Sequence, residues 1–365
     1  MTPQILSLFL WPFLVAFLVA FLTTPLAIKI AWRLNLIDDP AQNKHPKVIH
    51  TYPVPRGGVI PIAAALIITS LIFLPLDKYL IGILAGVILA SLVGLADDRF
   101  DLNPYLRILT CFLAAGAVVA AGIGIAFISN PFDGIINLSQ PQISFWFLGE
   151  ERTLWVLSSL FAIFWIAWCM NFVSWSGGVE GQLPGFVVIA ALTIGILSSR
   201  FSADITQWPV IILAATTAGA YLGFLPFNFY PQKIMPGYGG KSLAGFLLAV
   251  LSILATAKIG TLIVVLGIPL VDALYTLVRR LSAGHSPVWG DRAHLHHRLL
   301  DLGWSKRKIA IFYWLMTGFL GTLALNLNSR QKFYTIIMIA AILGGFILWL
   351  NYFTKSRSQP DPDNG

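Results

Sequence analysis

The stretch YLIGILAGVILASLVGLADDRF, residues 79–100, decides the fold, because its first 18 residues carry no charge and its next two are aspartates. A run of this length is close to the ~20 residues that a helix needs to cross the hydrocarbon core of a bilayer. Lipid offers no hydrogen-bond partners to the backbone, so such a run must be helical. The stretch therefore predicts a membrane-spanning helix with two carboxylates at one end.

Apolar runs of the same kind recur along the chain. The chain is 57% hydrophobic and 11% charged, whereas soluble domains carry about 25% charged residues. This composition excludes an ordinary water-soluble fold and predicts an all-α, polytopic membrane protein. We expect a single transmembrane catalytic domain over 1–354 and a polar, disordered cytoplasmic tail over 355–365. The predicted spans number about 11 and lie near 4–28, 57–76, 79–96, 105–128, 153–174, 183–199, 208–226, 242–257, 259–278, 309–327 and 333–353.

The basic residues orient these spans. If the loop 29–56 is cytoplasmic, 18 of the 24 lysines and arginines fall on the cytoplasmic face and 6 on the other. Cytoplasmic loops carry such an excess of Lys and Arg, which predicts an outside N-terminus and a cytoplasmic C-terminus. Membrane topology also explains the net charge of +8, so no nucleic-acid partner is expected. All six histidines fall on the same cytoplasmic face, where we therefore expect the chemistry.

The adjacent carboxylates Asp97 and Asp98 end the third span at the membrane interface. Two neighbouring like charges are costly there, and a divalent cation would relieve both. Mg²⁺ suits the position, with Mn²⁺ as an alternative, because it takes one or two carboxylates and completes its shell with water and substrate phosphates. The competing interpretation is a solvated helix end, with Asp101 as an N-cap of the next helix.

Histidines cluster in the loop SPVWGDRAHLHHRLLDLGWSKRK, residues 286–308. His294, His296, His297 and Arg298 could hold a metal ion or cradle phosphate anions. Metal-binding histidine pairs on a helix usually stand at i and i+4, a spacing that is absent here. Arginine beside histidine favours phosphate, since a guanidinium donates a bidentate fork. The topological excess of basic residues explains the Lys and Arg but not the histidines.

The remaining polar segments give weaker signals. The loop KHPKVIHTYPVPRGG, residues 44–58, contains Lys47, His50 and Arg56 and could contact a ligand or anionic lipid headgroups. Two glycine-rich loops, 174–185 and 235–242, could present backbone N–H groups to anions.

Three further polar or reactive features lie in or beside the spans. Asn171 and Asn228 precede the two glycine-rich loops. Asp272 lies inside a span and needs a partner, such as Arg279 or a neighbouring helix. Cys111 and Cys169 are interpreted as small buried hydrophobic residues.

Carboxylates for magnesium, cations and glycines for phosphates, and adjacent lipid together favour phosphoryl transfer from a soluble nucleotide to a membrane-borne acceptor. The order and spacing of the motifs resemble the bacterial polyprenyl-phosphate N-acetylhexosamine-1-phosphate transferases, the glycosyltransferase 4-like family. The resemblance covers about residues 35–305 and is strongest in PVPRGG (53–58), LADDRFDLNP (95–104) and DRAHLHHRLLDLGWS (291–305).

The resemblance implies a phosphotransferase of the bacterial cytoplasmic (inner) membrane. Such enzymes transfer a sugar-1-phosphate from a UDP-sugar to undecaprenyl phosphate, with Mg²⁺ and release of UMP, in peptidoglycan or cell-envelope polysaccharide synthesis. A homodimer through lipid-facing helices is a candidate assembly. The implied roles are catalytic for Asp97, Asp98, His296 and His297; substrate-binding for Lys47, His50, Arg56, Asn171, Asn228, Lys241, His294 and Arg298; and metal-binding for Asp97, Asp98 and Glu180.

The chain departs from the family pattern in two motifs. Tyr238 stands where the family has a metal-ligating Asp, Lys241 stands at a Ser, and Gly177 stands at an Asp of the N-x-x-N-x-x-D-G-x-D-G element. A neutral phenol is a poor Mg²⁺ ligand, so Lys241 is a candidate to supply positive charge directly. These departures leave open a catalytically impaired relative that serves as a nucleotide- or lipid-phosphate-binding scaffold. A transporter would need ionisable groups deep in the spans, where Asp272 alone qualifies.

Overall fold

The computed structural model describes residues 3–42, 48–147, 150–255, 259–287 and 292–357. Lys47 and most of the predicted tail lie outside these residues. Within them the protein is helical, with a few very short strands, and the all-α prediction is confirmed. The helices are α1 (Pro3–Arg33), α2 (Val59–Phe73), α3 (Lys78–Phe100), α4 (Pro104–Ala120), α5 (Val156–Trp175), α6 (Gln182–Ser199), α7 (Trp208–Asn228), α8 (Gly237–Leu254), α9 (Ile259–Val265), α10 (Gly267–Ser282), α11 (Leu295–Asp301), α12 (Lys306–Ala324) and α13 (Ser329–Arg357).

Each of the predicted apolar runs contains a helix, and the run 259–278 is divided between two. Among the described residues, seven helices are long and apolar enough to cross a membrane by themselves: α1, α3, α5, α6, α7 (with the preceding turn), α8 and α13. The pair α9 and α10 would make an eighth span, bent by 83° at its break. The chain is thus a multi-pass membrane protein, while the total of about 11 spans and their orientation stay predictions.

The centre of the bundle is formed by α6, α7 and α8, whose residues are mostly buried, whereas α1 and α13 are mostly exposed to the surroundings. Close helix contacts depend on glycine. A Cβ on Gly219 or Gly223 of α7 would overlap the carbonyl oxygens of Phe13 and Phe17 in α1. Small residues at such positions let membrane helices approach closely, where dispersion contacts stabilise the pair.

Short antiparallel strands occur in the connections. β1 (Ile37–Asp38) pairs with β2 (Val54–Pro55), β3 (Phe127–Ser129) with β4 (Ile135–Asn137), and β5 (Gln142–Phe147) with β6 (Glu150–Trp155). The last two hairpins connect α4 to α5. Because α4 begins beside the carboxylates of α3 and runs away from them, these hairpins lie at the opposite end of the bundle.

Five helix ends meet at the carboxylate end of the bundle: the last turns of α3, α5 and α7 and the first turns of α6 and α8. Helix α3 packs so tightly on α8 that a Cβ on Gly94 would overlap the Cα of Gly239. This contact brings the carboxylates at the end of α3 to the glycine-rich start of α8.

Candidate active site

Asp98 lies against the start of α8. The backbone N–H of Tyr238 donates to its Oδ1 over 3.0 Å. Gly237 has φ of +67°, and a Cβ there would overlap the Asp98 carboxylate, so a glycine is needed for both conformation and space. The other oxygen, Oδ2, is buried and has no hydrogen-bond partner within the described part of the chain. One carboxylate oxygen therefore remains available to a ligand.

Asp97 is paired with an arginine of α4. Its Oδ1 lies 2.5 Å from Nε of Arg107, and the Nη2 of Arg107 lies 2.6 Å from Asp101. Asp101 caps the C-terminus of α3 in the left-handed region, at φ of +48°. Asn103 is the N-cap of α4, so the prediction of Asp101 as that N-cap is wrong. Asn103 directly precedes Pro104, and its side-chain amide oxygen caps the first turn of α4 by accepting a hydrogen bond from the Tyr105 N–H.

The phenol of Tyr238 is turned towards α4. Its hydroxyl lies 3.5 Å from Sγ of Cys111 and 3.4 Å from the carbonyl oxygen of Arg107. The guanidinium of Arg107 lies over the ring, 5.3 Å from its centroid, a favourable cation–π arrangement. Tyr238 thus contributes a backbone N–H to Asp98, while its hydroxyl faces away. The prediction that Cys111 and Cys169 are buried is confirmed.

Two further cations stand near Asp98. Arg56 and Lys241 both act electrostatically on this carboxylate. Arg56 also pairs with Asp38 over 2.8 Å. Burial disfavours its charge, but Asp38 outweighs that effect, and the pKa of Arg56 is raised. Arg56 is therefore a permanently charged cation of the site.

The first loop is fixed to the start of α8 by backbone hydrogen bonds. The Met235 N–H donates to Pro55 O over 2.8 Å, and the Gly58 N–H donates to Met235 O over 3.0 Å. The buried ring of His50 lies 3.3 Å from Asp38 O, through Nε2, so His50 supports the strand that holds the Arg56–Asp38 pair. These contacts bring Arg56, which is distant in sequence, close to the Asp98 carboxylate.

Asn228 and Glu180 link the two glycine-rich loops. Asn228 accepts from the Gly181 N–H over 3.0 Å and donates to Ile234 O over 2.9 Å. Glu180, which is 2% exposed, forms an ion pair with Lys306 of α12 at 2.7 Å. Its Oε2 has no hydrogen-bond partner among the described residues. Glu180 therefore joins the loop after α5 to the start of α12.

Asp272 holds His294, the first of the three clustered histidines. Nδ1 of His294 lies 3.0 Å from Asp272 Oδ2, and the Leu295 N–H donates to Asp272 Oδ1 over 2.8 Å. The prediction that Asp272 needs a partner is confirmed, and that partner is the segment at the start of α11. The His294 ring stacks on that of His296 with centroids 5.7 Å apart, and the His296 and His297 centroids are 4.3 Å apart.

The ring of His296 reaches the first glycine-rich loop. A Cβ on Gly178 would overlap its Nε2, so the histidine cluster lies directly against the loop that carries Glu180. Arg298 donates to Ala293 O over 2.7 Å and lies over the ring of Tyr275. The predicted site residues that the structure describes thus form two adjoining groups: one around Asp98 on α3 and α8, and one around Glu180, Asn228 and the histidines.

Asn171 contacts its own helix and Cys111 rather than the carboxylates or the histidines. Its Nδ2 donates to Ala167 O over 2.8 Å, within its own helix, and its side chain also interacts with Cys111. Asn171 is therefore tied to the Tyr238 environment.

A resident metal ion does not fit the donor set well. No group of three His, Cys, Asp or Glu side chains in the described part of the chain is arranged to hold one. Asp97 is occupied by Arg107, Glu180 pairs with Lys306, and the Tyr238 phenol is turned away. The set Asp97, Asp98 and Glu180 is not assembled around a common point, and the requirement for magnesium stays a prediction.

A cavity of about 510 Å³ opens beside Lys306. Lys306 and Arg307 each lie 5.4 Å from the ring centroid of Tyr230, one of the lining residues. The cavity thus combines positive charge with aromatic faces, next to the buried Glu180. It is lined by Tyr230, Leu300, Trp304, Ser305, Lys306 and Arg307.

Sequence reasoning missed Arg107, Asp38 and Lys306 as site residues. Arg107 and Lys306 were counted only toward the topological excess of basic residues. The spacing offers one signal for Arg107: it lies three residues into α4, directly after the turn that follows the two aspartates. A cation in that place is close to the end of α3 whatever the rest of the fold.

Comparisons with known proteins identify the family of the chain. The Glycosyl transferase family 4 profile matches residues 80–256, which include Asp98, Glu180 and Tyr238. The chain is 30% identical to a decaprenyl-phosphate N-acetylglucosaminephosphotransferase of Mycolicibacterium smegmatis, over 74% of this chain and 71% of the relative. It is 26% identical to a probable undecaprenyl-phosphate N-acetylglucosaminyl 1-phosphate transferase of Bacillus subtilis, over 91% and 88%.

A third relative comes from another branch of the same chemistry. The chain is 27% identical to a phospho-N-acetylmuramoyl-pentapeptide-transferase of Caldanaerobacter subterraneus, over 72% of this chain and 79% of the relative. The similarity extends beyond the matched profile to nearly the whole membrane bundle. With its paired aspartates, histidine cluster and glycine-rich helix starts at one end of that bundle, the chain belongs to Glycosyl transferase family 4.

Proposed function

We propose that the protein transfers N-acetylglucosamine-1-phosphate from a UDP-sugar to a polyprenyl phosphate and releases UMP. The names of the relatives support this activity, since two of the three relatives described above are polyprenyl-phosphate N-acetylglucosamine phosphotransferases. None of them is named as a scaffold, so the non-catalytic alternative is not favoured. We place the reaction at the cytoplasmic face of a bacterial inner membrane, as the distribution of basic residues predicts.

The observation that carries the proposal is the Asp98 carboxylate. It is buried at the end of a membrane-capable helix, keeps one oxygen without a hydrogen-bond partner within the described residues, and has Arg56 and Lys241 nearby. Such a site meets a phosphate at the lipid boundary with both a proton acceptor and positive charge. Phosphoryl transfer depends mostly on positioning and charge stabilisation of this kind.

The acceptor would approach along α4. Leu106 and Leu109 of this helix are exposed, and Tyr105 is 65% exposed, one turn or less from Arg107. An apolar helix face that starts at the carboxylates suits an isoprenoid chain whose phosphate must reach Asp98. The acceptor's lipid tail and its phosphate would thus contact one continuous surface.

The donor would occupy the second group. The histidines and Arg298 supply hydrogen-bond donors for a diphosphate, and Arg298 is a fixed cation. Asn228 acts indirectly, because its own hydrogen bonds to Gly181, Gln232 and Ile234 hold the two glycine-rich loops in place. The cavity beside Lys306 supplies aromatic faces and cations for a nucleotide. Lys306 of the cavity lining pairs with Glu180, so a UDP-sugar bound there would lie beside the glycine-rich loop that carries Glu180 and would direct its sugar phosphate towards Asp98.

In the proposed reaction, an oxygen of the polyprenyl phosphate attacks the β-phosphorus of the donor. A new P–O bond forms, the bond from that phosphorus to the bridging oxygen breaks, and UMP leaves with the electron pair. Asp98 takes the proton of an acceptor phosphate that arrives as its monoanion. His296 and His297 lie beside the diphosphate and stabilise the charge that develops on the leaving UMP.

Purified protein, undecaprenyl phosphate and a panel of UDP-sugars test the proposal. We expect UMP release that depends on both substrates, with UDP-N-acetylglucosamine the best donor and a polyprenyl-diphosphate sugar as product. Asp98→Asn should abolish the release while the protein stays folded. Absence of UMP release with every donor, in the presence of Mg²⁺, would contradict the proposal.

A further inference from the structure

We propose that fixed cations of this chain, Arg107 and Lys241, take the part of a divalent metal ion in the transfer, so that the reaction proceeds without one. This inference rests on the proposed function. It concerns the group that neutralises the phosphates during transfer, for which the sequence predicted magnesium on Asp97, Asp98 and Glu180.

Arg107 lies directly against Asp97. Its Nε lies 2.5 Å from Oδ1 of Asp97. A magnesium ion needs ligand oxygens at about 2.1 Å in near-octahedral geometry. The guanidinium therefore stands on the side of Asp97 from which an ion would approach that oxygen, and it already supplies positive charge there.

Two further contacts hold Arg107 in this place. It also pairs with Asp101 at 2.6 Å and lies over the Tyr238 ring. The Tyr238 hydroxyl in turn contacts the Arg107 carbonyl oxygen and Cys111. The planar guanidinium is thus held on two carboxylates and one aromatic face, a preorganised cation rather than a mobile one.

Asp98 already has a backbone hydrogen bond and positive charge nearby. One of its oxygens accepts the Tyr238 N–H, and the carboxylate lies in the field of Arg56 and Lys241. Arg56 also pairs with Asp38 at 2.8 Å, whereas Lys241 is a lysine of α8 whose charge acts on the Asp98 carboxylate. A lysine ammonium is a compact point charge that can bind a phosphate oxygen directly.

Tyr238 replaces a carboxylate that ligates metal in the family pattern. Where the family pattern has an aspartate, this chain has Tyr238, whose hydroxyl is turned towards α4. Where the pattern has a serine, this chain has Lys241. The two differences act in the same direction, since one removes a negative charge and the other adds a positive charge. Both changes weaken the attraction of the site for a divalent ion and strengthen its attraction for phosphate.

The test uses full-length protein in detergent or nanodiscs and measures both metal binding and transfer. Binding of Mn²⁺ is followed by electron paramagnetic resonance, with no substrate present. Transfer from UDP-N-acetylglucosamine to undecaprenyl phosphate is measured in excess EDTA and in Mg²⁺. We expect no tight Mn²⁺ site, and a rate in EDTA within about threefold of the rate in Mg²⁺.

Variants separate the two cations from general surface charge. Lys241→Gln should lower the EDTA rate by about 100-fold, the usual effect of removing one charge-stabilising group, and Arg107→Gln should do the same. Lys233→Gln is the matched control, because it removes an exposed lysine of the same connection, four residues before α8, and its rate should not change. Added Mg²⁺ should not restore Lys241→Gln, because Arg107 still occupies the place beside Asp97.

The double substitution Tyr238→Asp with Lys241→Ser installs the residues of the family pattern. We expect it to gain Mn²⁺ binding and to lose its activity in EDTA. Tight Mn²⁺ binding by the unmodified protein, or loss of its transfer in EDTA, would overturn the inference. If no donor supports transfer under any condition, the proposed function fails, while the Mn²⁺ measurement still decides whether the site holds a metal.

Discussion

Gly237 and Asp98 are packed so closely that no side chain could be placed between them. Gly237 has φ of +67°, and a Cβ on it would overlap the Asp98 carboxylate. The same turn presents the Tyr238 N–H to Asp98 Oδ1. The orientation of Asp98, and with it the position of the open Oδ2, therefore depends on a residue that does no chemistry itself.

Gly237→Ala should lower transferase activity by at least about 100-fold, because a small displacement of a reacting group has effects of that size. The left-handed backbone adds about 1 kcal/mol of strain, and the overlap with Asp98 adds about 1–3 kcal/mol of overpacking, so the melting temperature should also fall. Initial rates and thermal unfolding in detergent measure the two effects.

Gly284→Ala is the matched control for Gly237→Ala. Gly284 has φ of +72°, but nothing lies within 4 Å of the place of its Cβ. The strain is thus the same while the collision is absent, and activity should stay near that of the unmodified protein. Equal loss of activity in both variants would show that backbone strain, not the position of Asp98, is responsible.

Lys306, through its ion pair with Glu180, should stabilise the protein more than Lys308, the other lysine at the start of α12. Lys306→Met leaves the buried Glu180 carboxylate without its cation, and breaking a largely buried pair costs about 2–3 kcal/mol. We expect a clear fall in melting temperature. Lys308→Met is the control, since Lys308 is exposed and lies over the Trp304 ring.

A second substitution identifies the cause of that loss. In Lys306→Met, the further change Glu180→Gln removes the uncompensated charge and should recover part of the lost stability, which makes the two effects non-additive. Additive effects on the melting temperature would mean that Lys306 stabilises the protein by packing on Tyr230 rather than through Glu180.

The packing of α1 on α7 predicts a second stability effect. A Cβ on Gly223 would overlap the Phe17 carbonyl oxygen, so Gly223→Ala must push the two helices apart and lose dispersion contacts along their length. We expect a destabilisation of about 1–3 kcal/mol, typical of overpacking. Gly318→Ala in α12 is the control, because nothing lies within 4 Å of that position.

The helices could be predicted from the sequence because length and apolar composition decide whether a segment crosses lipid. The break between α9 and α10 could not. The run 259–278 contains Gly267 and Pro269, which can interrupt a helix, but these residues do not set the angle of 83° between α9 and α10, where Gly267 lies against Ile339 of α13. A run read alone carries no information about a helix that arrives 70 residues later.

Site residues could be predicted from the sequence where a charged side chain is energetically costly in or beside the membrane. Asp97, Asp98 and Asp272 were identified on that ground, and all three are paired or hydrogen-bonded in the structure. Their partners were not predictable, because Arg107 looked like one basic residue among many. The direction of the Tyr238 hydroxyl was equally hidden, since it depends on Cys111 of a different helix.

The orientation of the bundle gives the last prediction. The hairpins between α4 and α5 lie at the end opposite Asp98, and Asp133 in their connection is exposed. The basic start of α12, with the exposed Lys308, lies at the Asp98 end. Because both native cysteines are buried, single cysteines introduced at these two positions report their own accessibility. A membrane-impermeant maleimide applied to intact cells should label Asp133→Cys and leave Lys308→Cys unlabelled until the membrane is opened. The reverse pattern would place the Asp98 group outside, away from cytoplasmic UDP-sugars, and would contradict both the predicted topology and the proposed reaction.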